Sequence, residues 1–289
     1  LERFSKSLKT LNSKLNIIEF PSWDCLPFDK NSPNQKIIGK RVRALFKLIN
    51  LDESKTVVLT TVGSILQKIP KAQYISDSSL KVEVGKNCIQ NDIIKFLENN
   101  GYSRTSTVRE DSEYSIRGGI IDVFPPGDQN PVRIDFFGDE VDSIRSFDPI
   151  NQLSIGNINH INFYPGSEIN LNDESINLFR SNYRKTFDNR IYDNSLYQSV
   201  SDKKRVNGIE QYLSLFHDDL TSFFSYLEDF LVILDKDYNA VLENKIEDIL
   251  DFYNARKEDK NTEGKKFNLL PVESLYFSKK EIHKFFDEK

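Results

Sequence analysis

The chain has 289 residues, enough for about two domains of roughly 150 residues each. Charged residues make up 29% of it, and no apolar run approaches the roughly 18 residues that cross a bilayer, so we expect a soluble protein. The net charge of −5 disfavours tight binding to duplex DNA, which depends on neutralised phosphates. Methionine is absent, even at position 1, so we interpret the sequence as a piece of a longer protein.

The cysteines and histidines do not form a recognisable site. Cys25 and Cys88 are far apart in sequence, which favours a reduced, cytoplasmic compartment and excludes a CxxC redox pair. His160, His217 and His283 lack zinc-ligand spacing. We therefore predict neither a metal nor another cofactor.

Two acidic clusters permit a functional interpretation and an ordinary one. His217 precedes Asp218 and Asp219, which could form a metal or acid–base site, but a solvated helix start is favoured. The acidic residues of 139–142 could bind magnesium, but at a hairpin tip they more often keep the turn soluble. We therefore expect both clusters to lie on the surface and to have no catalytic role.

The first part of the chain alternates predicted helices and strands. Apolar residues on one helical face predict a helix at 1–15, followed by a strand at 16–20. A second helix at 34–49 precedes the β-branched run TVVLT at 56–60. This order predicts a βαβ unit with parallel strands.

Basic residues in the second predicted helix do not indicate nucleotide binding. Lys36, Lys40, Arg43 and Lys47 recur at helical spacing, which is typical of a charged, solvated helix face. Each Gly-Lys step in the chain lacks the hydroxyl residue and the upstream glycine of a phosphate-binding P-loop. We therefore predict that this chain does not hydrolyse ATP.

The stretch 114–149 predicts an antiparallel, hairpin-rich sheet. Gly118-Gly119, the sequence PPGD at 125–128 and Gly138-Asp139 are turn signals between short apolar runs. Between the turns, Val132, Ile134 and Phe136 alternate with Arg133, Asp135 and Phe137. Successive strand residues point to opposite faces, so the first set is expected in a core and the second on the outward face.

The rest of the chain is predicted to be mostly helical, with a few strands. A strand is expected at 158–163, and another strand-like piece at 271–277. The apolar run FLVIL at 230–234 predicts a second buried strand of the parallel type. An amphipathic helix follows at 237–255, with Val241, Ile249 and Leu250 among its inward residues.

Several motifs carry a resemblance to a known family. They are RGG at 117–119, DVFP at 122–125, RIDFFGDE at 133–140 and FDP at 147–149, with FPSWD at 20–24 and GIEQY at 208–212 in the flanks. Together they resemble the N-terminal UvrB-homology module of bacterial transcription-repair coupling factors (the Mfd family), part of which is shared with the excision-repair protein UvrB. The similarity is spread over nearly the whole chain.

The resemblance implies an α/β fold. It consists of a degenerate RecA-like, parallel-sheet domain formed by 1–79 and 166–289, interrupted by a smaller inserted α/β domain at 80–165 with the hairpin-rich sheet. In the family, the motif positions of the inserted domain form the surface that recruits UvrA. By that resemblance, Arg117, Arg133 and Phe137 are the candidate UvrA-binding residues. The alternative is that the arginines are merely solvated and Phe137 covers the hairpin end.

The implied function is recruitment of UvrA by a non-catalytic module, which links stalled RNA polymerase to nucleotide excision repair. RNA polymerase and DNA would be bound by other domains of the parent protein, an ATP-dependent DNA translocase. Two other classes stay open: a module that binds damaged DNA directly, as in a UvrB-like protein, and a fragment of a helicase-like ATPase. The acidic charge and the lack of a long hairpin between 67 and 80 disfavour the first, and the missing P-loop disfavours the second.

Overall fold

The computed structural model describes residues 1–51, 55–187, 195–227, 230–258 and 268–287. The chain is of the α/β class, with helices and with both parallel and antiparallel strand pairs, which confirms the predicted class. The degenerate RecA-like character of the outer part stays a prediction. No helix in the described ranges is long and apolar enough to span a membrane.

The helices are α1 (Glu2–Leu11), α2 (Gln35–Ile49), α3 (Val62–Leu66), α4 (Ala72–Asp77), α5 (Gln90–Asn99), α6 (Asp173–Thr186), α7 (Ser195–Ser201), α8 (Tyr238–Glu258) and α9 (Lys279–Asp287). The strands are β1 (Asn16–Phe20), β2 (Thr56–Thr60), β3 (Ile69–Pro70), β4 (Leu80–Glu83), β5 (Ser103–Arg104), β6 (Glu113–Arg117), β7 (Ile120–Val123), β8 (Val132–Phe137), β9 (Glu140–Phe147), β10 (Ser154–Ile158), β11 (His160–Phe163) and β12 (Leu220–Thr221). Short 3₁₀ turns cover Ile209–Leu215, Phe223–Tyr226 and Val272–Ser274.

Residue contacts divide the chain into two compact units. The first comprises Leu1–Asn34, Leu48–Lys71 and Asp173–Lys289, and the second comprises Gln35–Lys47 and Ala72–Asn172. The separation of 80–165 as an inserted domain stays a prediction.

The first unit contains the predicted parallel strand pair. β1 and β2 run side by side in register from Asn16 opposite Thr56 to Phe20 opposite Thr60, so the parallel pairing is confirmed. Phe20 is fully buried and stacks on Phe223, with 4.2 Å between the ring centroids. The β-branched run at 56–60 forms a strand because β1 pairs with it and satisfies its backbone groups.

Two strand predictions in this unit are wrong. Residues 230–234 form no strand and are not covered, and the side chain of Leu231 is 87% exposed. The predicted strand-like piece at 271–277 contains the 3₁₀ turn Val272–Ser274 and is limited to an isolated antiparallel bridge between Tyr276 and Gln67. An apolar run becomes a strand only when another strand satisfies its backbone, and no strand among the described residues pairs with 230–234.

The face that α8 buries also differs from the prediction. Ile249 is buried as expected, whereas Val241 and Leu250 are exposed, and Leu242 and Tyr238 are buried instead. His217, expected at a solvated helix start, is buried as well. In both places, residues distant in sequence decide which side chains are buried.

The second unit is built on an antiparallel sheet. Within the described residues its strands have the order β10-β9-β8-β7-β6-β5, and β4 pairs with β11 in a separate two-stranded sheet. The predicted strand at 158–163 is divided between these sheets, because β10 ends at Ile158 and β11 begins at His160.

Glycine turns set the register of the central sheet. Arg117 pairs with Ile120 around Gly118-Gly119, and Phe137 pairs with Glu140 around Gly138-Asp139. Gly118 and Gly138 have φ values of +60° and +63°, which L side chains rarely adopt. The two-residue hairpin predicted at Gly138-Asp139 is confirmed, and Gly118-Gly119, where a positive φ or a bulge was expected, forms a second one.

One face of this sheet covers a hydrophobic core. Ile121, Ile134 and Ile144 lie side by side on β7, β8 and β9, and they pack with Ile93 and Leu97 of α5. The alternation predicted for 132–136 is thus confirmed. The opposite face carries the polar side chains of the same strands.

Most of helix α2 belongs to the second unit and packs closely within it. A Cβ on Gly39 would lie 2.7 Å from the backbone nitrogen of Gly127, so only glycine permits this approach. Two residues further on, the buried Arg41 donates hydrogen bonds of 3.0 and 2.9 Å to the buried carboxylate of Glu168. The Gly-Lys step at 39–40 therefore has a packing role.

Candidate interaction surface

Charged side chains from neighbouring strands meet on the sheet face opposite the core. In the strand register, Asp122 of β7 lies across from Arg133 of β8, and Arg133 lies across from Arg145 of β9. Asp135 is two residues further along β8, and Arg117 ends β6. We call these five residues the charged ladder. They share a face because each alternates with a core residue of its own strand.

Asp122 and Arg133 form the closest contact of the ladder. The guanidinium of Arg133 donates from Nε to Oδ1 of Asp122 at 2.7 Å and from Nη2 to Oδ2 at 2.9 Å. The Asp122 side chain is 1% exposed and that of Arg133 is 18% exposed. These hydrogen bonds raise the pKa of Arg133 above its ordinary value. The bidentate pair is therefore a shielded, geometrically defined ion pair.

Arg133 is also held by an aromatic ring. Its guanidinium carbon lies 4.8 Å from the centroid of the Phe147 ring. Phe147 is buried in a small second core with Val108 and Phe124. The planar guanidinium thus has a carboxylate at one edge and a ring against its face, which leaves it few alternative positions.

Arg117 approaches the same carboxylate from β6. Its Nη2 lies 3.7 Å from Oδ2 of Asp122 and 3.4 Å from the carbonyl oxygen of Ser106. Its side chain is 53% exposed. Asp122 therefore contacts both candidate arginines.

A second pair extends the ladder across β8 and β9. Arg145 Nη2 donates to Oδ2 of Asp135 at 2.5 Å, and the hydroxyl of Ser143 donates to the same oxygen at 2.9 Å. The ladder has one more arginine than it has carboxylates. The five side chains of the ladder therefore carry a net charge of +1, on a chain whose net charge is −5.

Phe137 lies on the same face by strand alternation, at the tip of the β8–β9 hairpin. Its side chain is 83% exposed, although the neighbouring Phe136 packs against the core. The strand rise puts Phe137 about 13 Å along β8 from Arg133. The register with β9 skips Asp142, a bulge that increases the local twist at the tip.

The structure thus brings together two of the three predicted residues, Arg117 and Arg133, through Asp122. The expectation that Arg133 is a freely exposed side chain is wrong, because Asp122 and Phe147 cover most of it. Sequence reasoning also missed Asp122 and Arg145 as members of this surface. Their alternation with Ile121 and Ile144 could have shown from the sequence that both side chains point outward. The sequence does not show which residues they face across the strands.

The other sequence candidates do not form a competing site. Lys36 and Lys40 line a pocket of about 420 Å³ together with Asp111 and Asp128, so this helix face is not simply solvated. Arg43 forms an ion pair of 2.6 Å with Asp128. Across the described ranges, no group of three or more potential ligand side chains could hold a metal ion.

Comparison with known proteins defines the class. Residues 80–169 match the family model described as the UvrB interaction domain, a range that includes the whole charged ladder and Phe137. The chain thus carries a UvrB interaction domain.

Nearly the whole chain is similar to part of a set of longer proteins. It is 33% identical over 284 residues to the transcription-repair-coupling factor of Haemophilus influenzae, covering 98% of this chain and 24% of that protein. It is 31% identical over 268 residues to that of Escherichia coli, covering 92% and 23%. The chain belongs to the transcription-repair-coupling-factor family, and it spans about a quarter of the length of these relatives.

Proposed function

We propose that this chain is the UvrA-recruiting, non-catalytic module of a bacterial transcription-repair coupling factor. The observation that carries the proposal is an exposed phenylalanine at a hairpin tip, beside a pre-arranged arginine pair, on one face of a UvrB interaction domain. Arginine and aromatic residues dominate protein–protein hot spots.

The chemistry of the surface indicates what it would bind. Arg117 and Arg133 supply fork-shaped donors that fit carboxylates, and Phe137 supplies an apolar side chain that gains by burial. The partner surface should therefore combine acidic side chains with an apolar recess. In the proposed assembly UvrA supplies both, and the parent protein's other parts engage RNA polymerase and DNA in the cytoplasm.

Phe137→Ala tests the docking surface most directly. The side chain is 83% exposed, so its truncation removes little intramolecular packing and leaves the fold stable. As an interface anchor it should contribute about 2 kcal/mol to binding, so the variant should bind purified UvrA roughly thirtyfold more weakly. Isothermal titration calorimetry of the 289-residue chain against UvrA measures this change.

Ile150→Ala is the matched control. Ile150 is as exposed as Phe137, at 85%, but it follows the far end of β9, about 25 Å away by strand rise. Its truncation should leave UvrA affinity unchanged. The proposal fails if Phe137→Ala and Arg117→Ala both bind UvrA like the unmodified chain. Tight binding of damaged duplex DNA at physiological salt would favour the DNA-binding class instead.

A further inference from the structure

We infer that Asp122 is a positioning residue for the docking surface, holding Arg117 and Arg133 in the arrangement that receives a partner carboxylate. This inference rests on the proposed UvrA-docking function. Asp122 does not need to touch the partner, because its side chain is almost fully buried. It would act through the two arginines.

The location of Asp122 is unusual for a structural carboxylate. It lies on the outward face of β7 between Ile121 and Val123, yet only 1% of its side chain is exposed. Both of its oxygens accept from Arg133, and one also lies 3.7 Å from Arg117. A single buried carboxylate thus determines where two arginines from different strands lie.

Without that carboxylate, Asp135 would be the one acidic member of the ladder beside its three arginines. Arg133 lies directly across from Arg145 in the register of β8 and β9. Like charges directly opposite each other on a sheet are unfavourable, and Asp135, which pairs with Arg145, offsets only part of this repulsion. Asp122 counters this repulsion from the other side, where it faces Arg133 on β7.

The pairing leaves part of the guanidinium available for a partner. Arg133 uses Nε and Nη2 on Asp122, and its Nη1 has no hydrogen-bond partner among the described residues. Arginine has five N–H donors in a fixed plane, so occupation of one edge orients the donors of the other. An arginine ordered before docking loses less rotamer freedom when it binds, which strengthens the complex.

Asp122→Asn tests the inference with a side chain of almost the same shape. Asparagine can accept only one of the two hydrogen bonds, because its NH₂ group would meet a guanidinium N–H donor. We expect UvrA binding to weaken about tenfold. In the Arg117→Ala/Arg133→Ala background, Asp122→Asn should cause no further loss. Glu83→Gln, which neutralises an exposed carboxylate on the separate β4–β11 sheet, is the control and should bind normally.

A spectroscopic measurement separates positioning from general damage. The Nε–H proton of Arg133 should give a slowly exchanging side-chain NMR signal in the unmodified chain and lose it in Asp122→Asn, while the amide spectrum stays dispersed. If Asp122→Asn unfolds the sheet, the charge-keeping Asp122→Glu is used. That longer side chain displaces both arginines and should also weaken UvrA binding.

The outcomes distinguish the two proposals. If the arginine variants weaken UvrA binding but Asp122→Asn, or Asp122→Glu in its place, binds normally, Asp122 has no positioning role and the docking surface stands. A further loss from Asp122→Asn in the double-alanine background would also overturn the positioning role, because Asp122 would then act independently of the arginines. If neither arginine variant weakens binding, the positioning role of Asp122 fails, and if Phe137→Ala also binds normally, the docking function itself fails.

Discussion

Arg133→Ala should destabilise the central sheet, although the residue lies on its outward face. The substitution removes two charge-assisted hydrogen bonds from Asp122, whose carboxylate is buried. It also removes the cation that lies over the ring of Phe147. The remaining cation near Asp122, Arg117, is 3.7 Å away and half exposed, so it compensates only in part.

The magnitude follows from these contacts. Breaking a fully buried ion pair costs about 3–5 kcal/mol, because the remaining charge is left without a partner. The partial exposure of Arg133 and the nearby Arg117 reduce this, so we expect a loss of about 2 kcal/mol in the free energy of unfolding of the sheet. Arg117→Ala should cost only about 0.5 kcal/mol, since its ion pair is exposed and longer.

Hydrogen exchange read by mass spectrometry is the appropriate assay. The only tryptophan, Trp23, belongs to the first unit, so its fluorescence does not report on this sheet. Peptides covering β7 and β8 should exchange roughly thirtyfold faster in Arg133→Ala than in the unmodified chain. If exchange in Arg133→Ala is no faster than in Arg117→Ala, the Asp122–Arg133 pair does not stabilise the sheet, and the reasoning is refuted.

Three further predictions concern packing and burial. Gly39→Ala forces a Cβ against the Gly127 backbone and should cost about 1–3 kcal/mol by thermal denaturation, whereas Gly156→Ala, which has open space around it, should change stability far less. Glu168→Gln removes the charge that accepts two hydrogen bonds from the buried guanidinium of Arg41, and it should also lower the melting temperature; an unaltered melting curve would contradict this. Burial raises the pKa of the Cys25 thiol to about 12. At pH 8 its thiolate fraction should therefore be about a thousandfold below that of an ordinary thiol, and the rate of its alkylation by iodoacetamide should fall by the same factor. Unfolding in urea should abolish the difference in rate.

The sequence by itself determined the features that depend on near neighbours. The Gly-Asp step at 138–139 predicted a hairpin and the Gly-Gly step at 118–119 predicted a turn or bulge, because glycine adopts positive φ values freely. The alternation from 132 to 137 predicted which side chains face the core, since successive strand residues point in opposite directions. The parallel pairing of β1 and β2 followed from their β-branched and apolar runs separated by a helix.

Tertiary structure decided which outward residues are free. Arg133 and Phe137 occupy equivalent positions in the alternation, yet Asp122 and Phe147 cover the first and leave the second exposed. The run at 230–234 has the composition of a buried strand but has no strand partner in the described part of the chain. In both cases the outcome depends on atoms contributed by other strands. Periodicity determines the direction of a side chain, whereas its exposure and hydrogen bonds depend on what the folded chain places opposite it.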